Sequence, residues 1–144
     1  MGVAEMLAKR KIELANKNKI EGQEFISQFA QKEDVILLNN GIAYEILTST
    51  EGIKPSKDST VECHYHGYNI HGEVFDSSVN REKTATFSLN RVIKGWQEIL
   101  PLMSIGSKWK VVIPAEYAYG EEQLSKEIGP NSTLIFEIEL IDIK

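Results

Sequence analysis

The pattern of apolar and polar positions divides the chain into a helical first part and a strand-rich remainder. Up to about residue 33, apolar side chains recur at helical spacing among Lys, Glu, Gln and Asn, and no proline interrupts them. Residues 15–19 are polar on every face, and Gly22 follows them. The pattern therefore predicts either one long, largely exposed helix or two helices that meet near residues 18–22. Its apolar stripe is thin, so the segment needs to dock on the main domain or on a second copy of the chain.

Beyond residue 34, apolar positions mostly alternate with polar ones, which is typical of half-buried strands. In the clearest case Val61, Cys63 and Tyr65 share one face, and polar residues alternate with them on the other. Strands or extended runs are predicted over residues 35–38, 42–47, 60–69, 73–77, 84–89, 108–113 and 133–143.

One short stretch interrupts this alternation. Val92, Trp96, Ile99, Leu100 and Met103 recur at helical spacing, and Pro101 predicts that the helix ends near Ile99. A short amphipathic helix in a β-rich region is expected to lie across one face of the sheet. Trp96 would then either complete the core or form the floor of an apolar pocket.

Together these elements predict an α+β fold. We expect a strongly twisted antiparallel sheet of about five strands wrapped around one short helix, preceded by an N-terminal helical arm. The long loop over residues 115–131 is a candidate functional segment, because long loops in compact domains often carry function.

Composition narrows the function classes. The 144 residues carry 16 basic and 21 acidic side chains, a net charge of −5 that argues against nucleic acid as a partner. The single cysteine, Cys63, excludes an internal disulfide and a cysteine-based zinc site. No apolar run reaches the length of a membrane span, and the N-terminus lacks a secretion pattern. A cytoplasmic location is expected, with a periplasmic or exported one as the alternative if a signal has been removed.

The side chains that usually carry bond-making chemistry form no complete site. His64 and His66 share a strand face, with His71 just beyond, but two histidines without a fixed carboxylate partner do not predict a metal site. Cys63 and His64 point to opposite faces, which excludes a nucleophile pair. What remains is a set of aromatic residues and one carboxylate near the predicted short helix: Tyr65, Phe75, Asp76, Phe87, Trp96, Tyr119 and Phe136.

Several ordered motifs resemble the FKBP-type peptidyl-prolyl cis-trans isomerases. They are V-E-C-H-Y-H-G at 61–67, G-E-V-F-D-S-S at 72–78, V-I-K-G-W at 92–96, A-Y-G at 118–120 and I-G-P-N-S-T-L-I-F-E at 128–137. The resemblance covers roughly residues 39–144, which we expect to form the isomerase domain, with residues 1–38 as arm and linker. The I-G-P-N-S-T-L-I-F motif near the C-terminus and the N-terminal helical arm are most similar to the bacterial macrophage-infectivity-potentiator branch, whose members carry an N-terminal dimerisation region.

The resemblance implies an enzyme that rotates X–Pro peptide bonds in an apolar pocket, without a cofactor or metal. It assigns catalysis to Tyr65, Phe75, Asp76 and Tyr119, and substrate binding to Arg81, Phe87, Val92, Ile93, Trp96, Leu124, Ile128 and Phe136. The Ile93 N–H and the Tyr119 hydroxyl would hold substrate carbonyls. Asp76 would either meet the twisted carbonyl carbon or orient Tyr65, and Arg81 would reach Asp76.

The implied partners are unfolded or flexible polypeptides that contain proline, and macrolide inhibitors of the tacrolimus and rapamycin type. A homodimer through the N-terminal region of the full-length protein is a further expectation. Ala85 and Leu124 stand where other members have an aromatic residue and a histidine, so they are expected to alter substrate preference and macrolide affinity. The alternative function is a protein-binding or chaperone module with little turnover, but such domains usually lack the tryptophan or the aspartate, and this chain keeps both.

Overall fold

The computed structural model describes residues 2–144. The N-terminal part is one uninterrupted helix of 28 residues, α1 (Val3–Ala30), which decides between the two predicted arrangements. Gly22 is buried in the middle of α1, where a Cβ atom would lie only 2.2 Å from Thr133 Oγ1. The glycine therefore marks a close contact between the helix and the rest of the chain rather than a break.

The strands are β1 (Val35–Leu37), β2 (Ala43–Thr48), β3 (Thr60–Asn69), β4 (Val74–Ser77), β5 (Ala85–Ser88), β6 (Lys108–Ile113) and β7 (Leu134–Ile143). Within residues 2–144, all strand pairs are antiparallel and join into one sheet of seven strands in the order β1-β2-β6-β7-β3-β4, with β5 also paired to β3. Each of the seven predicted extended runs overlaps one of these strands, so the sheet has two strands more than the predicted count of about five, and β1, β4 and β5 have only three or four residues each.

The short helix α2 (Lys94–Ile99) lies against one face of the sheet, as predicted, but it is shorter than expected. Val92 and Ile93 are extended, and a 3-10 turn over Leu100–Leu102 takes up Pro101. A Cβ atom on Gly95 would lie 2.6 Å from Ile113 Cγ2, so the helix packs directly on β6. The main core forms between α2 and this face of the sheet.

The opposite face of the sheet is covered at one end by the C-terminal half of α1. Phe29 is buried against Ala43, Val112 and Ile135, with Phe25 and Ile26 packed beside them. The helix was predicted to dock on the main domain or on a second copy of the chain, but its contact residues on the sheet were not identified, because Val112 alternates with lysines on β6 and Ile135 with glutamates on β7. Apolar side chains on the N-terminal half of the helix stay exposed, namely Val3, Met6, Leu7, Ile12 and Leu14. Within residues 2–144, no helix combines the length and apolarity needed to cross a membrane.

Candidate active site

A cavity of about 500 Å³ opens between the face of the sheet that packs against α2, the start of α2 and the loop that follows β6. Its walls are aromatic and aliphatic, with few polar groups. The lining residues are Tyr65, Phe75, Asp76, Phe87, Arg91, Val92, Ile93, Trp96, Tyr119, Leu124, Ser125, Ile128 and Phe136.

Trp96 and Phe136 are the most buried aromatic residues of the cavity, each with only 4% of its surface exposed. Tyr65, Phe87 and Phe136 meet the indole edge to face, with ring centroids 5.3–5.5 Å apart and steep interplanar angles. Such T-shaped contacts are favourable for aromatic pairs and fix each ring in place. Among residues 2–144, the Trp96 Nε1–H is the buried side-chain polar group that lacks a hydrogen-bond partner. The indole therefore forms a rigid apolar floor.

One wall depends on the absence of a side chain at Gly67 in β3. A Cβ atom there would lie 2.7 Å from Phe75 Cζ and 2.9 Å from Phe136 Cε1. The two rings pack against each other over this glycine, with centroids 5.5 Å apart at 83°. Gly67 thus allows both aromatic rings to lie close to the strand and leaves the cavity open above them.

Tyr65, Asp76 and Arg81 form a hydrogen-bonded cluster at the edge of the cavity. The Tyr65 hydroxyl donates to Asp76 Oδ2 at 2.6 Å, and Arg81 donates to Asp76 Oδ1 at 2.5 Å and to the Tyr65 oxygen at 2.9 Å. Both carboxylate oxygens are therefore engaged. Partial burial alone would raise the pKa of Asp76, but the hydrogen bonds from Tyr65 and Arg81 outweigh it and lower the pKa below its usual value.

Besides the Trp96 Nε1–H, the Tyr119 hydroxyl and the Ile93 N–H are donors at the cavity that have no partner among the described residues. The hydroxyl of Tyr119 makes no hydrogen bond. The Ile93 N–H also makes none, because it lies just before α2, and only the Ile93 carbonyl takes part in the first turn, where it accepts from Trp96 and Gln97. Burial, and next the charge of Asp76, raise the pKa of Tyr119, which keeps its hydroxyl neutral and protonated. Both groups can donate to carbonyl oxygens of a bound ligand.

The outer side of the cavity is closed by residues 120–131, which we call the rim loop. Its base is held by the hydrogen bond from the Asn131 N–H to the Gly120 carbonyl at 2.8 Å. Within it, the Leu124 N–H donates to the Ile128 carbonyl at 3.0 Å. Leu124, Ser125 and Ile128 face the cavity.

The structure brings together all but one of the residues predicted for the site. Arg81 does not line the cavity and instead contacts Asp76 and Tyr65. Arg91 and Ser125 line the cavity but were not predicted. Each adjoins a predicted residue, Val92 or Leu124, and that adjacency was the available signal. Ala85 pairs with Cys63 at the edge of the core and does not line the cavity, whereas Leu124 does.

The histidines near Cys63 lie on the opposite face of the sheet from this cavity. His64 Nδ1 is 2.9 Å from Ser78 Oγ and His66 Nδ1 is 2.7 Å from Ser77 Oγ. On the neighbouring strand β7, Glu139 pairs with His64 and Glu137 with His66. Within residues 2–144, no three His, Cys, Asp or Glu side chains are grouped so that they could hold a metal ion. Cys63 is buried, which raises the pKa of its thiol to about 12.

Comparison with known families gives two matches along the chain. Residues 51–141 match the FKBP-type peptidyl-prolyl cis-trans isomerases, and residues 1–46 match the domain found amino terminal to them. The chain is 43% identical over 143 residues to an outer membrane protein MIP from Legionella longbeachae, covering 97% of this chain and 61% of the relative. It is 45% identical over 123 residues to the 22 kDa FKBP-type isomerase of Escherichia coli K12, covering 85% of this chain and 60% of the relative.

Solved structures agree with these matches. FkpA from Escherichia coli superposes with a TM-score of 0.91 at 36% identity, covering 95% of this chain and 64% of that one. A peptidyl-prolyl cis-trans isomerase from Pseudomonas syringae superposes with a TM-score of 0.83 at 35% identity, covering 90% of this chain and 96% of that one. The chain thus spans roughly three fifths of the length of the first curated relatives it matches.

Proposed function

The chain belongs to the FKBP-type peptidyl-prolyl cis-trans isomerase family, with Mip-like relatives, and we propose that it catalyses rotation about X–Pro peptide bonds in polypeptides. The observation that carries this proposal is the aromatic cavity over Trp96, with unpaired donors at Ile93 and Tyr119. The cavity offers a ring-sized apolar floor and hydrogen-bond donors at its mouth.

The physics of the reaction matches such a cavity. Rotation about a peptide bond is slow because amide resonance imposes a barrier of about 18–20 kcal/mol. An X–Pro bond therefore isomerises in tens to hundreds of seconds without a catalyst. When the amide twists, resonance and charge separation decrease, so an apolar environment favours the twisted state over the planar one. Water is a better solvent for the planar amide than the walls formed by Trp96, Phe87 and Phe136.

The polar groups at the mouth would hold the substrate while its amide rotates. The proline ring would lie over Trp96, with the Ile93 N–H and the Tyr119 hydroxyl donating to carbonyls on either side of the rotating bond. Fixing the flanking carbonyls confines the motion to one torsion, which is catalysis by orientation. Neither donor needs to transfer a proton.

The cluster of Tyr65, Asp76 and Arg81 supports a positioning role for Asp76. Both oxygens of its carboxylate already accept hydrogen bonds, so the carboxylate is not free to act as a base. Of the two roles considered from the sequence, orienting Tyr65 is the one that this geometry supports. Tyr65 in turn packs its ring edge against Trp96 and forms part of the wall.

The proposal is tested by measuring cis-trans exchange in a short proline peptide by NMR, with the purified chain added in catalytic amount. We expect exchange to accelerate in proportion to protein concentration. Exchange no faster than in buffer, with peptide binding still visible, would identify the chain as a binding or chaperone module of the same fold and refute the isomerase proposal.

Partners follow from the same site. Proline-containing unfolded or flexible polypeptides are the proposed substrates, and macrolides of the tacrolimus and rapamycin type are proposed ligands, since about 500 Å³ is within the range of sites for drug-sized molecules. Competition between a macrolide and a proline peptide tests this.

Homodimerisation of the full-length protein through its N-terminal region stays a prediction that sedimentation would test. A cytoplasmic location stays a prediction that cell fractionation would test.

A further inference from the structure

The rim loop contacts two different parts of the molecule on its two sides. Toward the cavity it presents Leu124, Ser125 and Ile128. On its other side, the Asn18 side-chain amide in α1 donates to the Pro130 carbonyl at 2.8 Å, and the Asn131 amide donates to the Ala15 carbonyl at 3.3 Å. The loop therefore links the helical arm to the mouth of the cavity.

The rim loop is held as a unit, so a change on one side is expected to reach the other. The Asn131 N–H closes the base on the Gly120 carbonyl, and Asn131 itself has a φ of 56°. The Asn69 amide donates to the Glu127 carbonyl at 3.0 Å and the Leu124 N–H to the Ile128 carbonyl at 3.0 Å. Two of these bonds are internal to the loop and the bond from Asn69 ties it to β3, so a displaced Pro130 carbonyl is expected to move several residues of the loop rather than one.

We infer that Asn18 is a positioning residue for substrate selection: by holding the Pro130 carbonyl, it fixes where Leu124 and Ile128 stand at the mouth of the cavity. The inference rests on the proposed function. If the proline ring lies over Trp96, the residue before proline lies toward the mouth, where Leu124 is 48% exposed. Side chains of the arm do not line the cavity, so Asn18 acts through the loop.

The test compares two peptides that differ only in carrying leucine or alanine before proline. Asn18→Asp replaces the donor with a charged acceptor that faces the Pro130 carbonyl, and Asn18→Ala removes the donor. We expect the ratio of kcat/KM for the leucine peptide to that for the alanine peptide to fall about threefold to tenfold, the effect of one lost hydrogen bond. Gln28→Glu makes the same amide-to-carboxylate change at an exposed position of α1 and should leave the ratio unchanged.

A second arm of the experiment separates positioning from a merely structural role. In a Leu124→Ala background the leucine peptide loses its contact at the mouth, so Asn18→Asp should no longer change the ratio. The inference would be overturned if Asn18→Asp and Asn18→Ala left the ratio of the two kcat/KM values unchanged, including the case in which kcat/KM falls equally for both peptides. A wild-type chain that accelerates neither peptide would refute the proposed function instead.

Discussion

At the scale of single residues, the Tyr65–Asp76–Arg81 cluster holds Asp76, the one carboxylate among the residues that line the cavity. Asp76 is half-exposed and paired, so its removal should change the geometry of Tyr65 more than it changes the stability of the fold. We expect Asp76→Ala to lower kcat/KM about tenfold or more, while the free energy of unfolding changes by about 1 kcal/mol or less. Peptide exchange by NMR and chemical unfolding measure the two effects.

Glu51→Ala serves as the control, because it removes an exposed carboxylate outside the site and should leave both quantities unchanged. A normal rate for Asp76→Ala would show that Tyr65 keeps its position without this acceptor.

The lowered pKa of Asp76 predicts the pH dependence. Partial burial opposes the shift, but hydrogen bonds from Tyr65 and Arg81 lower the pKa in the folded chain below the unfolded value of about 3.9. The stability that the cluster contributes is therefore complete above about pH 4 and is lost as the pH falls through the lower folded pKa. We expect kcat/KM to stay level from about pH 5 to about pH 8 and to fall only below about pH 4.

NMR exchange at each pH, with tryptophan fluorescence to confirm folding, measures this profile. In Asp76→Asn the acid limb should disappear. A limb centred near pH 6 would indicate a histidine, and the cluster would then not control the reaction.

At the scale of elements, the position of α2 depends on Gly95. Alanine is favoured over glycine in a helix by about 1 kcal/mol. Here, however, the new Cβ would lie 2.6 Å from Ile113 Cγ2, and overpacking a core costs about 1–3 kcal/mol. We therefore expect Gly95→Ala to destabilise the fold and to lower activity, because Trp96 moves with the helix. Chemical unfolding and NMR exchange measure both effects.

The double variant Gly95→Ala, Ile113→Ala tests the cause. Ile113→Ala alone leaves a cavity, which the Cβ of Ala at position 95 partly fills. The double variant should therefore be more stable than the sum of the two single changes predicts. Additive losses would place the strain elsewhere.

Strands were predictable from the sequence where apolar residues occupy one face of the strand and polar residues the other. Residues 60–69 alternate without interruption, and β3 (Thr60–Asn69) has those bounds. Extended runs were also predicted where β1 and β5 lie, but their place in the sheet depends on pairing with neighbours, which the local pattern does not contain. The layer under α1 was missed because Val112 and Ile135 share their strand faces with lysines and glutamates, and only the fold brings them to Phe29.

At the scale of the whole molecule, the site is assembled from segments far apart in sequence. Tyr65, Trp96, Tyr119 and Phe136 come from four different stretches. Hydrophobic spacing alone left open whether Trp96 completes the core or forms a floor. The resemblance to a family supplied the grouping. The geometry added Arg91 and Ser125, whose signal was only their adjacency to Val92 and Leu124, and the contact of the rim loop with α1, which has no signal in local spacing.

The arm, by its contacts, has two halves with different roles in the molecule. The C-terminal half buries Phe29 on Ala43, Val112 and Ile135, whereas the N-terminal half leaves Val3, Met6 and Leu7 exposed. Phe29→Ala should therefore lower the free energy of unfolding by up to about 3–5 kcal/mol, and by less where neighbouring side chains fill the space. Leu7→Ala should change it by no more than about 0.5 kcal/mol. Chemical unfolding measures both.

Deletion extends this argument from side chains to segments. Removing residues 2–10 should leave the unfolding midpoint and kcat/KM of the remaining chain unchanged, because these residues are exposed and bury no side chain on the sheet. Removing residues 2–33 uncovers the second apolar face and frees the Pro130 carbonyl, so the unfolding midpoint should fall and the preference for a bulky residue before proline should weaken. Equal midpoints for the two deletions would mean that the sheet is stable without its second layer, and α1 would then be an appendage rather than part of the fold.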